Sequence, residues 1–285
     1  MSSDRLPLTT RPAVRNPRTG ARLRQLLQGA ETGAEGYPVS GRHEFKYLIR
    51  SDRNGDVARF LQTHLELDKY SHGRPRNRYT VRSVYYDSPG FRCYYEKANG
   101  DQNRRKFRVR SYNQSGGVTF LECKQRKGST YTKRKTRLDD AQIATLRARE
   151  GLDGRVVEPS GVFEQLLLSM DRWDYQPTVL VVYDREAYVA HGQEDTVRVT
   201  LDQNLRARIF PELSDLYDES ELQDLLYGWT ILEVKFNDVV PRFLPQLVSK
   251  FSLQRQACSK YGVSVALLLT EDPTKKEGWN HVYVR

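Results

Sequence analysis

The chain has 285 residues, of which 38% are hydrophobic and 11% aromatic, and its 46 Lys and Arg exceed its 36 Asp and Glu to give a formal charge of +10. That content excludes a wholly disordered chain, and the basic surplus points either to a polyanion partner or to a merely basic surface. Cys93, Cys123 and Cys258 show no C-x-x-C pair or zinc spacing, no apolar leader opens the chain, and the apolar run Val263 to Leu269 is too short to span a bilayer, so a reducing, cytoplasmic setting without a transmembrane segment is expected.

Residues 1–36, rich in Arg, Pro, Gly and Thr, read as a basic disordered arm. Residues 37–270 read as one folded domain, and 271–285 as a short tail. Arg42 to Ile49 alternates as a first strand, with Arg42, Glu44 and Lys46 on one face. Ser51 then predicts an N-cap, and Val57, Phe60, Leu61 and Leu65 predict a helix to about Leu67. Arg78 to Asp87 is a second strand, and Phe91 to Lys97 a short helix or turn. Lys106 to Tyr112 alternates Lys106, Arg108 and Arg110 on one face. Val118 to Arg126 places Glu122, Lys124 and Arg126 together, and Tyr131 to Arg137 does so for Lys133, Lys135 and Arg137. The turns Ser115-Gly116-Gly117 and Gly128-Ser129 make these three runs a meander.

A helix capped by Asp139 or Asp140 is expected through Arg149, and another from Gly161 to Trp173. Strands return at Thr178 to Tyr188, delivering Tyr183 and Arg185 to one face, and at Thr196 to Asp202, grouping Arg198, Thr200 and Asp202. A helix is predicted over Ser214 to Leu226. Thr230 to Phe236 is a strand with Ile231, Glu233 and Lys235 on one face. Pro241 opens a predicted long helix ending near Ser259-Lys260-Tyr261.

Any one of these polar faces fits an ordinary sheet with one side in water. The set fits that less well. The faces are dominated by Arg and Lys, and a Glu precedes a Lys by two residues three times: Glu44-Lys46, Glu122-Lys124 and Glu233-Lys235. About eight such strands with helices between them can close into a barrel holding a small ligand. The expected fold is therefore α+β: a closed, mostly antiparallel barrel with charged faces inward and helices packed outside. Like charges packed inside repel, and a chain of phosphates would offset that repulsion. Carboxylates among them would hold Mg²⁺ or Mn²⁺. No Walker A loop, Rossmann fingerprint, G-x-S-x-G or His-rich metal motif is present, nor any nucleic-acid-binding motif.

The chain resembles the VTC domain, the catalytic module of vacuolar transporter chaperone polyphosphate polymerases, within the triphosphate tunnel metalloenzymes related to CYTH domains. The resemblance covers roughly residues 40–265. It rests on Arg42-x-x-x-Lys46-Tyr47, Val84-Tyr85-Tyr86-Asp87, Lys106-x-Arg108-x-Arg110, Leu121-Glu122-x-Lys124, Tyr183-x-Arg185, Arg198-x-Thr200-x-Asp202, Leu232-Glu233-x-Lys235 and Ser259-Lys260-Tyr261. Each piece alone is weak; eight in order are specific.

The resemblance implies phosphate binding by Arg42, Lys46, Arg108, Arg110, Lys124, Arg185, Arg198, Ser259 and Lys260, with Lys133 or Lys135 joining them and Tyr183 shaping the wall. Of these, Lys46, Arg108, Arg110, Lys124, Arg185 and Arg198 would act in catalysis together with Glu233, the implied ligand of Mn²⁺ or Mg²⁺. Glu44 and Glu122 are either further metal ligands or ion-pair partners. CYTH members begin with Glu-x-Glu-x-Lys, whereas here the first position is Arg42, which favours the VTC-type activity. The resemblance does not extend to the SPX domain or membrane helices of the eukaryotic complexes.

The implied activity is an ATP-polyphosphate phosphotransferase that adds the γ-phosphate of ATP to a growing chain, working with ATP, polyphosphate and a membrane-associated partner protein. The alternatives are a triphosphate hydrolase of the same fold and a non-catalytic polyphosphate-binding module.

Overall fold

The computed structural model describes residues 38–148 and 161–269. The arm, the tail and the end of the helix expected through Arg149 lie outside the described residues.

Among the described residues ten strands form one antiparallel sheet: β1 (Pro38–Arg50), β2 (Glu66–Leu67), β3 (Tyr79–Asp87), β4 (Arg104–Tyr112), β5 (Phe120–Lys127), β6 (Thr130–Arg137), β7 (Gln176–Ala190), β8 (Gln193–Ile209), β9 (Gln223–Asp224) and β10 (Trp229–Val239). The main path runs β1-β10-β8-β7-β3-β4-β5-β6, with β2 beside β7 and β9 beside β8. The β4–β6 meander forms as expected. Gly128, at φ +58°, supplies the left-handed residue of its two-residue turn between Lys127 and Thr130.

The helices are α1 (Asn54–Gln62), α2 (Arg92–Ala98), α3 (Asp140–Ala148), α4 (Val162–Asp171), α5 (Phe243–Lys250) and α6 (Lys260–Leu269). On one flank, Val57 and Leu61 of α1 and Phe243, Leu244 and Leu247 of α5 pack on Phe45, Tyr47, Leu232, Val234 and Phe236. On the other, Phe163, Leu166, Leu167 and Met170 of α4 join Val84, Phe107, Val109 and Leu121. These apolar positions alternate with the charged ones along β1, β4, β5 and β10, so helix burial on the convex side commits the charges to the concave side. Each fully buried Leu or Phe contributes about 1.5–3 kcal/mol to that commitment.

The expected closed barrel is corrected to an open half-barrel. The two ends of the path, β1 and β6, do not pair among the described residues. β6 carries Thr, Tyr, Lys and Arg on both faces and is exposed along almost its whole length, so no apolar surface draws it against β1. The free edge of β1 is partly covered instead by residues 255–256. Arg255 bridges to Tyr47 and stacks its guanidinium on Phe45 at 3.9 Å, and the Gln256 N–H donates to the Lys46 carbonyl at 2.8 Å.

Three local expectations also differ. The long helix after Pro241 is two helices. α5 ends at Lys250, Ser252 takes φ +50°, and an extended segment leads to α6. The helix predicted over Ser214 to Leu226 is a 3-10 turn, Leu213–Tyr217, followed by the short β9. Its carboxylates serve the convex face, where Asp215 and Asp218 hold Arg208 at 2.6 and 3.1 Å. The first helix stops at Gln62, and Ser51, expected as its cap, bonds Thr230 at 3.2 Å from within a separate 3-10 turn. Asp139 does cap α3, accepting the Gln142 N–H at 2.8 Å, while the Gln142 side chain accepts the Asp139 N–H at 3.2 Å.

Candidate functional site

The register stacks the charged residues in rows across the concave face. Lys46 on β1 faces Glu233 on β10, which faces Thr200 on β8; one step along, Glu44 faces Lys235, which faces Arg198. Lys46 reaches Glu44 at 2.7 Å and Glu233 at 3.5 Å; Lys235 reaches Glu44 at 3.8 Å and also pairs with Glu233. Two carboxylates and two ammoniums thus form one cluster.

Beside it, Arg185 grips Asp202 through two bonds of 2.6 and 2.8 Å, and Lys260, the first residue of α6, reaches the same carboxylate at 2.5 Å. Tyr183 underlies both cations, 5.2 Å from Arg185 and 4.6 Å from Lys260. Arg198 pairs with Asp68 and donates to the Tyr79 hydroxyl at 3.3 Å.

The opposite wall is built by β4, β5 and β6. Arg108 donates to Glu122 through Nε at 2.8 Å and Nη2 at 2.5 Å, and to the Tyr85 hydroxyl at 3.2 Å. Lys133 and Lys135 approach Glu122 from β6 at 3.1 and 4.0 Å. Arg110 bonds Ser83 at 3.0 Å and the Tyr183 hydroxyl at 3.4 Å. Lys106 donates to Ser259 at 2.8 Å, just before α6. Tyr261 stacks on Tyr85 and bonds Asp87, so the start of α6 plugs one end of the groove.

The structure therefore brings Glu44, Lys46, Arg185, Arg198, Glu233 and Lys260 into one wall and Arg108, Arg110, Glu122, Lys124, Lys133 and Lys135 into the other, with Tyr183 between them and Ser259 at the plug. Arg42 lies exposed opposite Asn237, near one end of β1.

The electrostatics keep these carboxylates ionised. Burial pushes Asp202 and Glu122 up, but Arg185 and Lys260 in one case, and Arg108 and Arg110 in the other, outweigh it and hold each at about 2. Glu233 is held well below the carboxylate range against its burial, by Lys46, Lys235, Lys260 and Arg185. Cations without a close carboxylate shift the other way. Burial lowers Lys106 and Lys124 to about 8, with Lys46 adding to the effect at Lys106 and Arg108 at Lys124. Lys124 is open to water yet flanked by both walls, since Glu44 and Lys235 act on it from across the groove. Burial would raise Tyr85, but Arg108 and Arg110 bring it down to about 7.

Alternation alone put Lys106, Lys235 and Asp202 on this face without giving them a role, and Tyr85 stood only inside a motif. Lys97 was missed altogether. It sits on α2, outside any strand, and the groups acting on it are Arg104, Lys46 and Arg126.

Among the described residues no group of three His, Cys, Asp or Glu gathers as a metal site. Glu44 and Glu233 form an all-oxygen pair, which suits a hard divalent cation that completes its shell with water and phosphate oxygens. Glu122 and Asp202 are each already matched by two or more cations.

The sequence profile of the VTC domain matches residues 41–269. No curated protein matches the chain. Among solved structures it is similar to HpAC1 from Hippeastrum, a nominal adenylyl cyclase with a dominant triphosphatase activity, at 12% identity and TM-score 0.47, over 82% of this chain and 98% of that one. It is also similar to a nominal adenylate cyclase from Bacillus halodurans (11%, TM-score 0.42, 80% and 96%) and to the inorganic triphosphatase NE1496 (15%, TM-score 0.28, 74% and 81%). No helix among the described residues is long and apolar enough to cross a membrane. With the profile spanning the whole sheet and both walls of the groove, the chain belongs to the VTC domain family.

Proposed function

We propose that this protein is a metal-dependent polyphosphate polymerase that transfers the γ-phosphate of ATP to the end of a growing phosphate chain. The observation that carries this is the pair of cationic walls facing across one groove, with the Glu44–Glu233 carboxylates in one of them. Arg108, Arg110, Arg185 and Arg198 offer planar forks for phosphate oxygens, and Lys46, Lys124 and Lys235 offer point charges.

Glu233 and Glu44 would hold Mn²⁺ or Mg²⁺, which supplies neutralisation of the charge on the transferring phosphoryl group. Lys46 and Lys235 occupy the two carboxylates in the free protein and turn to phosphate oxygens when the substrate arrives. Arg185 and Lys260, fixed by Asp202, present donors at set positions at no cost in reorganisation. Tyr85 takes up a proton when phosphate neutralises Arg108 and Arg110, and then donates to a phosphate oxygen.

Hydrolysis would need a base to draw a proton from water. The terminal phosphate of a chain is already ionised and needs no such base. Incubation with ATP and Mn²⁺ or Mg²⁺, with and without a short primer, tests the proposal. Long chains with stoichiometric ADP are expected; orthophosphate without chains would overturn it in favour of a hydrolase, and binding without turnover in favour of a passive module.

A further inference from the structure

The convex side of the sheet carries cations too, and it treats them in two ways. Toward β8 they are matched: Glu219 holds Arg82 and Arg206, and Asp215, Asp218 and Glu221 hold Arg208. Toward β4 and β5 they are not. Arg105 shares the convex face with Phe107, half-buried, and faces Gln125 in register. Its guanidinium donates to the Ser169 hydroxyl of α4 at 3.4 Å. Lys127 lies two residues beyond Gln125 on the same face. Among the described residues neither Arg105 nor Lys127 has a carboxylate within 4.0 Å. A half-buried guanidinium without a counter-charge is costly, and an anion taken from solution would offset that cost.

Arg105, Gln125 and Lys127 line a cavity of about 310 Å³, and Trp173 and Tyr175 add an aromatic wall to it. Tyr175 is anchored edge-on against Phe107, with ring centroids 5.3 Å apart. Arg92 of α2 stacks 3.8 Å over Trp173, and Glu96, the one carboxylate among the lining residues, holds Arg92 at 2.7 Å. The acid is thus already matched, and the unmatched charge of the cavity is positive. One water needs roughly 10–15 Å³ of such space, so the cavity is far larger than an inorganic anion requires. It falls at the lower end of the roughly 300–1,000 Å³ of small-molecule sites.

We propose that this convex cavity is a non-catalytic binding site for a nucleotide. Trp173 and Tyr175 supply aromatic surface for the base. Arg105 and Lys127 supply the counter-charge for its phosphate. Gln125 offers an amide donor and acceptor to the ligand's polar edge. The sheet separates this place from the groove, and the site does not depend on the polymerase reading.

Trp173 is a built-in reporter. With Trp229→Phe and Trp279→Phe it is the one tryptophan left of three. This protein is titrated with AMP, with adenosine and inorganic phosphate as the arms that separate the two halves of the ligand, and the emission of Trp173 is read. AMP is expected to change it saturably, at a concentration at least about tenfold lower than either half requires. Arg105→Gln and Lys127→Gln should each weaken AMP about tenfold, through loss of a charge-assisted contact, while calorimetric affinity for tripolyphosphate in the groove stays unchanged. Thermal melting checks folding, and Lys127, being exposed, keeps the test valid if the Arg105 variant unfolds. A Trp173 signal blind to AMP, an inorganic phosphate response as strong as that to AMP, or AMP affinity untouched in both variants would each overturn the site.

Discussion

Lys46 and Glu233 stand opposite each other in the register of β1 and β10, yet the ammonium lies closer to Glu44, at 2.7 Å, than to Glu233, at 3.5 Å. The lysine is shared between two carboxylates that repel each other, and Lys235 pairs with the same two. Replacement of Glu233 by Gln halves that pair. Metal-dependent turnover should fall about 10²-fold or more, while phosphate binding without metal should hold or strengthen because one competing anion is gone. Steady-state rates across a metal titration check this; a variant with near-normal turnover would remove Glu233 from the metal.

Asp202 is the fixed counter-charge of the α6 plug. Asp202→Asn leaves Arg185 and Lys260 buried without a carboxylate, a change expected to cost about 3–5 kcal/mol. Added tripolyphosphate should restore much of the lost melting temperature, because its oxygens take the vacant place beside the two cations. Melting curves with and without the anion decide, and an unaltered melting temperature would mean that Asp202 does not hold the plug.

The depressed carboxylates set the acid limit of the fold. Asp202 and Glu122 sit at about 2, below the usual carboxylate range, because their cationic partners outweigh burial. Their contribution is complete above the unfolded-state values near 4 and is lost as pH falls through about 2. Circular dichroism from pH 5 to 1.5 should therefore show the transition in the lower half of that range, and unfolding already complete at pH 4 would refute the pairing.

Lys106 and Lys124 predict behaviour at the alkaline side. Burial holds Lys106 at about 8, below the ordinary 10.5 of a lysine, so in the free protein this group makes stability rise with pH between about 8 and 10.5, while Lys124, open to water, adds less. A bound polyphosphate favours the charged form and draws protons in. Calorimetry at pH 8.5 in two buffers of different ionisation enthalpy should show net proton uptake on binding, and affinity should weaken from pH 7 to pH 9.5. Buffer-independent heats would place the anion away from these lysines.

Leu247 of α5 is fully buried against β1 and β10. Leu247→Ala should cost about 2–5 kcal/mol in denaturant unfolding. The groove should nonetheless keep its affinity wherever the protein remains folded, because α5 lies on the convex side.

The period-two pattern was legible because it is local. Glu44-Lys46, Arg108-Arg110 and Glu233-Lys235 each need only their own strand to declare a face, and helix packing then fixed which face turned inward. What was not legible was set by remote partners. Closure of the sheet depended on whether β6 had apolar surface to offer β1, and its Tyr131-to-Arg137 alternation looks the same in an open sheet or a closed one. Where Ser214 to Leu226 reads as a helix, the chain makes a 3-10 turn and β9, and Asp215 and Asp218 pair with Arg208 on β8, a remote partner that no local pattern announces. Lys97 carried no signal, since a single lysine at the end of a short helix resembles any solvated one.

The margin of the sheet at β6 has a bearing on how copies of this protein behave toward one another. An unpaired strand ordinarily invites a second chain to extend the ladder. Here Lys133, Arg134, Lys135 and Arg137 are all exposed along that margin, and two such borders brought together would set cation against cation. Self-association is thereby discouraged in dilute salt. A long polyanion, able to bridge two of these borders, would act as a glue, so the protein's tendency to cluster should follow the amount of such a polymer around it.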